Sequence, residues 1–336
     1  MLLNPVFVGQ TEPPDVFGSA ALVPLRVDRR AILEAVMPSI TRRTFIETCA
    51  ALAAAPQARP AATPDIHFPA APRDRLAVAS YPFRSFMDRP GHPGLKLTDF
   101  ASMVVDKFGI YNIEPLNSHF PSTEPAYLDE LRRAVEQAHS HIVNLPTNVG
   151  ASVYDPDPAR RAKAVAGGRK WVDIAVAVGS PSIRTHIQGA RGASPDAGRA
   201  AESLKQVAEY GAAKNVMINL ENDDLDTEDA FFLAKVVDAV NSPWLRGLPD
   251  FGNSMMKGDE DFNYKAMEAM FRRAYNISHV KDSEVDNGKV FRVSMARTFA
   301  IAKAAGYRGY FSMEFEGQGE PYEGTRKLLD ESLKDL

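Results

Sequence analysis

From Arg75 onward, short apolar runs alternate with longer stretches in which apolar positions recur at helical spacing. The short runs predict strands over Leu76–Phe83, Ile110–Leu116, His141–Asn148, Ser182–Ile187, Val216–Glu221, Leu245–Phe251, Ile277–Lys281 and Gly309–Phe315. The longer stretches predict helices over Thr98–Lys107, Ala126–Ser140, Pro158–Val178, Pro195–Lys214, Thr227–Val240, Phe262–Tyr275, Arg292–Ala305 and Tyr322–Leu336. Local signals agree: Asp157-Pro158 and Ser194-Pro195-Asp196 open helices, Thr98 precedes Asp99, and Gly179 and Gly306 follow last turns. Strands alternating with helices predict βαβ units and a parallel sheet. Eight units in about 260 residues match a (β/α)₈ TIM barrel, an α/β fold that takes about 250. A doubly wound open sheet is the rival. It would carry a glycine-rich phosphate loop after its first strand, where this chain has Tyr81-Pro82-Phe83-Arg84-Ser85.

The N-terminal region breaks this rhythm. Ser39-Ile40-Thr41-Arg42-Arg43-Thr44-Phe45-Ile46 precedes a small apolar run, Cys49 to Ala55, and then an Ala/Pro-rich stretch to Ala71. Paired arginines, a Phe and a weakly apolar segment resemble a twin-arginine export signal; the competing reading is a disordered basic linker. Met37 lies just upstream of the arginines and offers a later start. The expected division is an extension over 1–72, disordered or removed, and one barrel domain over 73–336. Periplasmic or exported localisation follows from the signal, cytoplasmic from the linker reading. The apolar run is too short to anchor the chain in a membrane.

Composition narrows the function. The chain has 336 residues, 45% hydrophobic and 24% charged, with a formal net charge of −4, so no basic field recruits nucleic acid. One cysteine, Cys49, excludes a disulfide framework and a cysteine-based zinc site. The oligomeric state is left open.

Candidate chemistry sits where the strands end, the face on which barrel active sites gather. The fifth strand ends in Glu221, the sixth in Asp250, the seventh in His279 and the eighth in Glu314. Side chains alternate faces along a strand, so with Glu314 inward, Tyr310, Ser312 and Glu316 also point in, and Phe311, Met313 and Phe315 face the helices. With His279 inward, Lys281 shares its face. Alone, a histidine here is satisfied by a hydrogen bond, and a carboxylate caps the next helix. Four in register predict a shared divalent metal held by Glu221, Asp250, His279 and Glu314. Three carboxylates and an imidazole suit Mn²⁺ first, with Mg²⁺, Co²⁺ and Zn²⁺ as alternatives. Arg184 and His186 end the fourth strand, and Glu114, with Asn117 and His119, ends the second. Each has a structural reading beside a substrate-binding one.

These motifs carry a resemblance. Tyr111-Asn112-Ile113-Glu114-Pro115-Leu116, Asn219-Leu220-Glu221-Asn222, Pro249-Asp250-Phe251-Gly252-Asn253, His279-Val280-Lys281-Asp282 and Met313-Glu314-Phe315-Glu316 resemble the sugar phosphate isomerase/epimerase branch of the xylose-isomerase-like barrels. The resemblance spans the chain from about Leu76 to its end. It implies a metal-dependent sugar isomerase or epimerase in which Glu221 and Glu314, besides holding the metal, remove and return a proton next to a carbonyl through an enediolate. The implied partner is a small carbohydrate, contacted by Arg184, His186, Lys281, Glu114, His119 and Asn253. Where the family often has a histidine, this chain has Asn253, which puts a proton shuttle there in question. A 3-keto-glycoside lyase or hydrolase on the same metal site is the alternative. An apurinic endonuclease would need many zinc-binding histidines, against seven in this chain, and a basic DNA face. A non-catalytic sugar-binding protein would need no opposed glutamates.

Overall fold

The computed structural model describes residues 63–336. The twin-arginine-like segment lies outside the described residues.

Eight α-helices and eleven strands follow one another among the described residues. The strands are β1 (Leu76–Ala79), β2 (Asn112–Glu114), β3 (His141–Ile142), β4 (Leu145–Asn148), β5 (Ser182–His186), β6 (Met217–Glu221), β7 (Leu245–Leu248), β8 (Ile277–Val280), β9 (Ser283–Asp286), β10 (Lys289–Arg292) and β11 (Tyr310–Met313). The helices are α1 (Leu97–Phe108), α2 (Pro125–Gln137), α3 (Pro158–Val178), α4 (Ala197–Ala212), α5 (Ala230–Val240), α6 (Glu260–Phe271), α7 (Met295–Ala304) and α8 (Pro321–Asp335). Parallel pairing runs β3-β2-β1-β11-β8 in one arc and β4-β5-β6-β7 in the other. The arcs join where β3 continues into β4 and where Asp250 bridges His279, so the ring closes as a (β/α)₈ barrel.

The cap chemistry read from sequence is present. Asp157 accepts from Ala159 N–H at the start of α3, and Gly179 closes that helix at φ 80°. Asp196, rather than Ser194, caps α4. Strand parity also holds: Phe311 and Met313 pack outward in the main core beneath the helices, whereas Tyr310 joins Ala77, Val143, Leu248 and Ile277 inside the barrel.

Three features depart from expectation. The first strand stops at Ala79 and turns through a 3₁₀ segment at Tyr81–Phe83. The third is interrupted between β3 and β4, where Asn144 turns its amide to the interior. A hairpin, β9–β10, follows β8; Asn287-Gly288 supplies its turn with φ of 48° and 78°, the left-handed pair a two-residue hairpin needs. The packed chain also begins before residue 73. Asp65 N–H donates to Asn215 Oδ1, and Phe68 packs edge-on against Tyr275 and Tyr310, covering the inner cluster. An apolar ring at the bottom of the barrel needs that cover, so the domain includes this lead-in. No helix among the described residues is long and apolar enough to cross a membrane.

Candidate metal centre

Strand register brings the predicted ligands together. Glu221 pairs across with Leu248, two residues before Asp250. Asp250 and His279 are direct bridge partners, tied by His279 N–H to Pro249 O (3.0 Å) and Phe251 N–H to His279 O (3.2 Å). Glu314 N–H donates to Val280 O. One ligand atom from each of Glu221, Asp250, His279 and Glu314 lies within 4.8 Å of the other three, and all four residues are buried.

His279 is the hinge of the group. Its Nδ1 faces the carboxylates, 2.7 Å from Glu221 Oε1, 3.1 Å from Glu314 Oε2 and 3.9 Å from Asp250 Oδ2. Its Nε2 faces the other way, 3.0 Å from both oxygens of Glu114. A chain of donors leads to that carboxylate. Asn276 Nδ2 donates to Ser182 Oγ (2.6 Å), Ser182 to Asn144 Oδ1 (2.6 Å), and Asn144 Nδ2 to Glu114 Oε1 (2.7 Å). Glu114 therefore accepts from Nε2–H and keeps Nδ1 aimed at the acid cluster, 2.7 Å from Glu221 Oε1. A carboxylate behind a metal-binding imidazole orients it in this way.

The electrostatics are those of a cation site. Burial and the neighbouring Glu221 and Glu314 push the Asp250 carboxyl well above its ordinary range, although Lys281 and His279 pull it down. Burial disfavours a charged His279, yet Glu114, Glu221 and Glu314 outweigh it and raise the imidazole. Burial would also raise Glu221 and Glu314. Arg184 and His279 overcome it at Glu221, and His279 and Lys281 at Glu314, so both are held low. Asp250 Oδ1 accepts from Gly252 and Asn253 N–H, but Oδ2 is buried without a hydrogen bond. A buried carboxylate oxygen with no hydrogen bond, its one cationic neighbour Lys281 Nζ at 3.4 Å, facing two further carboxylates and an imidazole nitrogen, fits a divalent ion.

Three expected substrate contacts are redirected. Glu114 is fully buried behind His279, where its carboxylate accepts from His279 Nε2 and Asn144 Nδ2. Lys281 Nζ bonds Asn253 Oδ1 (2.8 Å), Glu284 Oε2 (2.9 Å) and Glu316 Oε1 (2.5 Å), so all three of its donors are used. Asn253 is committed to Lys281 and, through its N–H, to Asp250. Glu316 feels burial and the neighbouring Glu314 and Glu284 more than Lys281, and rises to about 7. The other three lie toward the rim. Arg184 Nε sits 2.7 Å from Glu221 Oε2. His186 Nδ1 is 2.7 Å from buried Glu228 and 3.5 Å from Asp223. His119 Nδ1 meets Ser80 Oγ at 2.8 Å, and Ser80 Oγ also accepts from Leu116 N–H. Burial, helped by Arg84, lowers His119 to about 4, so the ring is neutral.

Sequence reasoning missed Asn144, Ser182, Asn276, Glu284 and Glu228. The signal for the first three was present: each is a polar residue inside or beside an apolar strand run. Asn222 was quoted only as a motif letter, yet its side-chain amide clamps the Asp250 backbone, Oδ1 accepting from Asp250 N–H (2.8 Å) and Nδ2 donating to Asp250 O (3.1 Å).

A family profile described as xylose isomerase-like TIM barrel matches residues 104–335. The chain belongs to that family. Among solved structures, it resembles a xylose isomerase-like TIM barrel protein from Mycobacterium smegmatis in complex with magnesium (TM-score 0.59, 16% identity, 78% of this chain and 97% of that one). It also resembles D-allulose 3-epimerase from Methylomonas sp. in complex with D-allulose (0.60, 18%, 81% and 99%). A third is the probable 3-DHS dehydratase from Bacillus anthracis (0.55, 13%, 77% and 97%). No curated protein matches the sequence. At these identities the likeness is one of fold.

Proposed function

We propose that this barrel is a divalent-metal-dependent sugar isomerase or epimerase that removes a proton next to a carbonyl and passes through an enediolate. The convergence of Glu221, Asp250, Glu314 and His279 Nδ1 within 4.8 Å of one another, around an Asp250 Oδ2 that makes no hydrogen bond and has only Lys281 Nζ as a cation at 3.4 Å, carries this reading. Those four residues would hold the ion, Mn²⁺ by preference, which when bound supplies Lewis-acid polarisation of a substrate carbonyl. The protein does the rest. Glu114 keeps His279 Nδ1 aimed inward, Lys281 offsets the charge of Asp250 and Glu314, and a glutamate of the cluster moves the proton. His119 and His186 at the rim would meet substrate hydroxyls. Sugar epimerases on the same fold support a carbohydrate substrate.

A second reading, elimination from a 3-keto-glycoside, needs the same first step. It is favoured by the export-signal-like segment and by a probable dehydratase on this fold. We place the protein in the periplasm on that segment alone; fractionation of cells expressing the full chain and an Arg42→Lys/Arg43→Lys variant tests it.

Glu314→Gln should lower turnover by about 10²–10⁴-fold with the fold intact. Near-wild-type turnover in that variant would remove the acid–base assignment. Absence of a divalent ion from purified protein, with none able to restore solvent-deuterium exchange into ketoses or 3-keto-glycosides, would remove the function itself.

A further inference from the structure

A second group of ligand-type side chains stands at the rim and shares no residue with the four-residue cluster. His186 ends β5, Asp223 follows β6 by two residues, and Glu228 closes the loop that leads to α5. That loop is built to turn Glu228 back toward the end of β5. Asp224 Oδ1 accepts from the N–H groups of Asp226 and Thr227 and from Thr227 Oγ1, and Asp224 O accepts from Glu228 N–H at 2.8 Å. Glu228 is 1% exposed, and its Oε1 accepts from Ile187 N–H at 2.5 Å, which fixes the carboxylate in place. Its Oε2, also buried, meets His186 Nδ1 at 2.7 Å in an ion pair set off the ideal hydrogen-bond line, so both atoms lack a well-directed partner. Asp223 Oδ2 lies 3.5 Å from the same Nδ1.

One Nδ1 proton cannot satisfy two carboxylates, and a buried carboxylate oxygen is kept where it is paired or holds a metal. Bonds of about 2.0–2.2 Å from one ion to an imidazole nitrogen and to carboxylate oxygens set those atoms about 3–3.5 Å apart. One ligand atom from each of His186, Asp223 and Glu228 already lies within 4.8 Å of the other two. We propose that His186 Nδ1, Asp223 and Glu228 form a second divalent-cation site, separate from the four-residue cluster, that takes a borderline ion such as Zn²⁺. An imidazole beside two carboxylates suits Zn²⁺ better than Mg²⁺ or Ca²⁺, which prefer oxygen alone. Arg184 divides the two sites. Its Nε sits 2.7 Å from Glu221 Oε2 and its Nη2 3.8 Å from Asp223, so a fixed cation stands between them and no carboxylate is shared. Three protein ligands leave positions open, and the His186 and Asp223 side chains are 30% and 38% exposed, so those positions face solvent. Ligation through Nδ1 leaves His186 Nε2–H as a donor for substrate hydroxyls.

The test counts ions and needs no substrate. Equilibrium dialysis of the metal-stripped full chain against Zn²⁺, followed by elemental analysis, gives the number held per chain. Glu228→Gln should hold one Zn²⁺ fewer than its parent, both in the wild-type background and in Asp250→Asn, where the four-residue cluster is disabled. An unchanged count in either background overturns the proposal. The four-residue cluster enters only through the parent's count, so its failure to bind metal leaves the difference as it is. Because a buried substitution can disturb the loop, Asp223→Ala at a partly exposed position supplies a second variant. Losing a direct ligand should weaken binding at this site by at least the about 10–100-fold that follows loss of an outer partner, with far-UV circular dichroism unchanged. Affinity within about twofold of the parent means an adventitious ion only and overturns the site.

Discussion

Replacing Glu114 by Gln probes the part of the site furthest from any substrate. The carboxylate is fully buried and accepts from His279 Nε2, 3.0 Å from both of its oxygens, and from Asn144 Nδ2 at 2.7 Å. Gln keeps the volume but makes one end a donor. Because His279 lies equally close to both ends, either orientation sets N–H against N–H. Leaving one buried donor unpaired costs about 1–3 kcal/mol. The imidazole can relieve the clash only by turning or changing tautomer, and either takes Nδ1 off the cluster. Loss of such a partner lowers metal affinity by about 10–100-fold, or about 1.4–2.8 kcal/mol. Calorimetric titration of metal-stripped protein with Mn²⁺ measures it directly. The stabilisation conferred by saturating ion, read from melting curves, should shrink by the same energy. Affinity within about twofold of wild type, in a variant with unchanged far-UV circular dichroism, would refute the orienting role.

Other perturbations separate the site from its scaffold. Asp250→Asn keeps the Oδ1 bonds from Gly252 and Asn253 but relieves a carboxyl that burial already pushes up. The metal-free variant should melt no lower than wild type and should lose metal-induced stabilisation; a wild-type rise on adding Mn²⁺ would contradict this. Phe68→Ala removes the edge-on ring contacts that cover the bottom of the barrel, and should lower stability to urea by about 2 kcal/mol; an unchanged midpoint would show the cover to be dispensable. His186 is raised first by its bond to Glu228, and Glu228 is itself raised by burial. Both groups lend stability that is full below their unfolded values and lost as pH climbs through the folded ones. The melting temperature should therefore fall as pH rises above about 6.5, and less so in His186→Gln. An equal slope in the variant would put the dependence elsewhere.

The barrel and its four central residues were legible in the chain because their cause is periodic. Alternation of short apolar runs with amphipathic stretches determines βαβ units, and parity along a strand determines that Glu314 and Tyr310 share one face while Phe311 and Met313 share the other. A parallel ring sets its strand ends at one level, so Glu221, Asp250, His279 and Glu314 had to converge. What each neighbour does was not legible. Glu114 and Lys281 read as rim residues by position, yet a hydrogen bond across the barrel turns Glu114 to the back of His279, and three acceptors from separate segments exhaust Lys281. The pairing of Arg184 with Glu221 joins residues on adjacent strands, and the pairing of Lys281 with Glu314 joins two others, so two similar glutamates end with different cations. Sequence periodicity is a property of one strand at a time, and so it determined which faces the four cluster residues occupy. The contacts that set their chemistry are made between strands, and only closure of the barrel decided them.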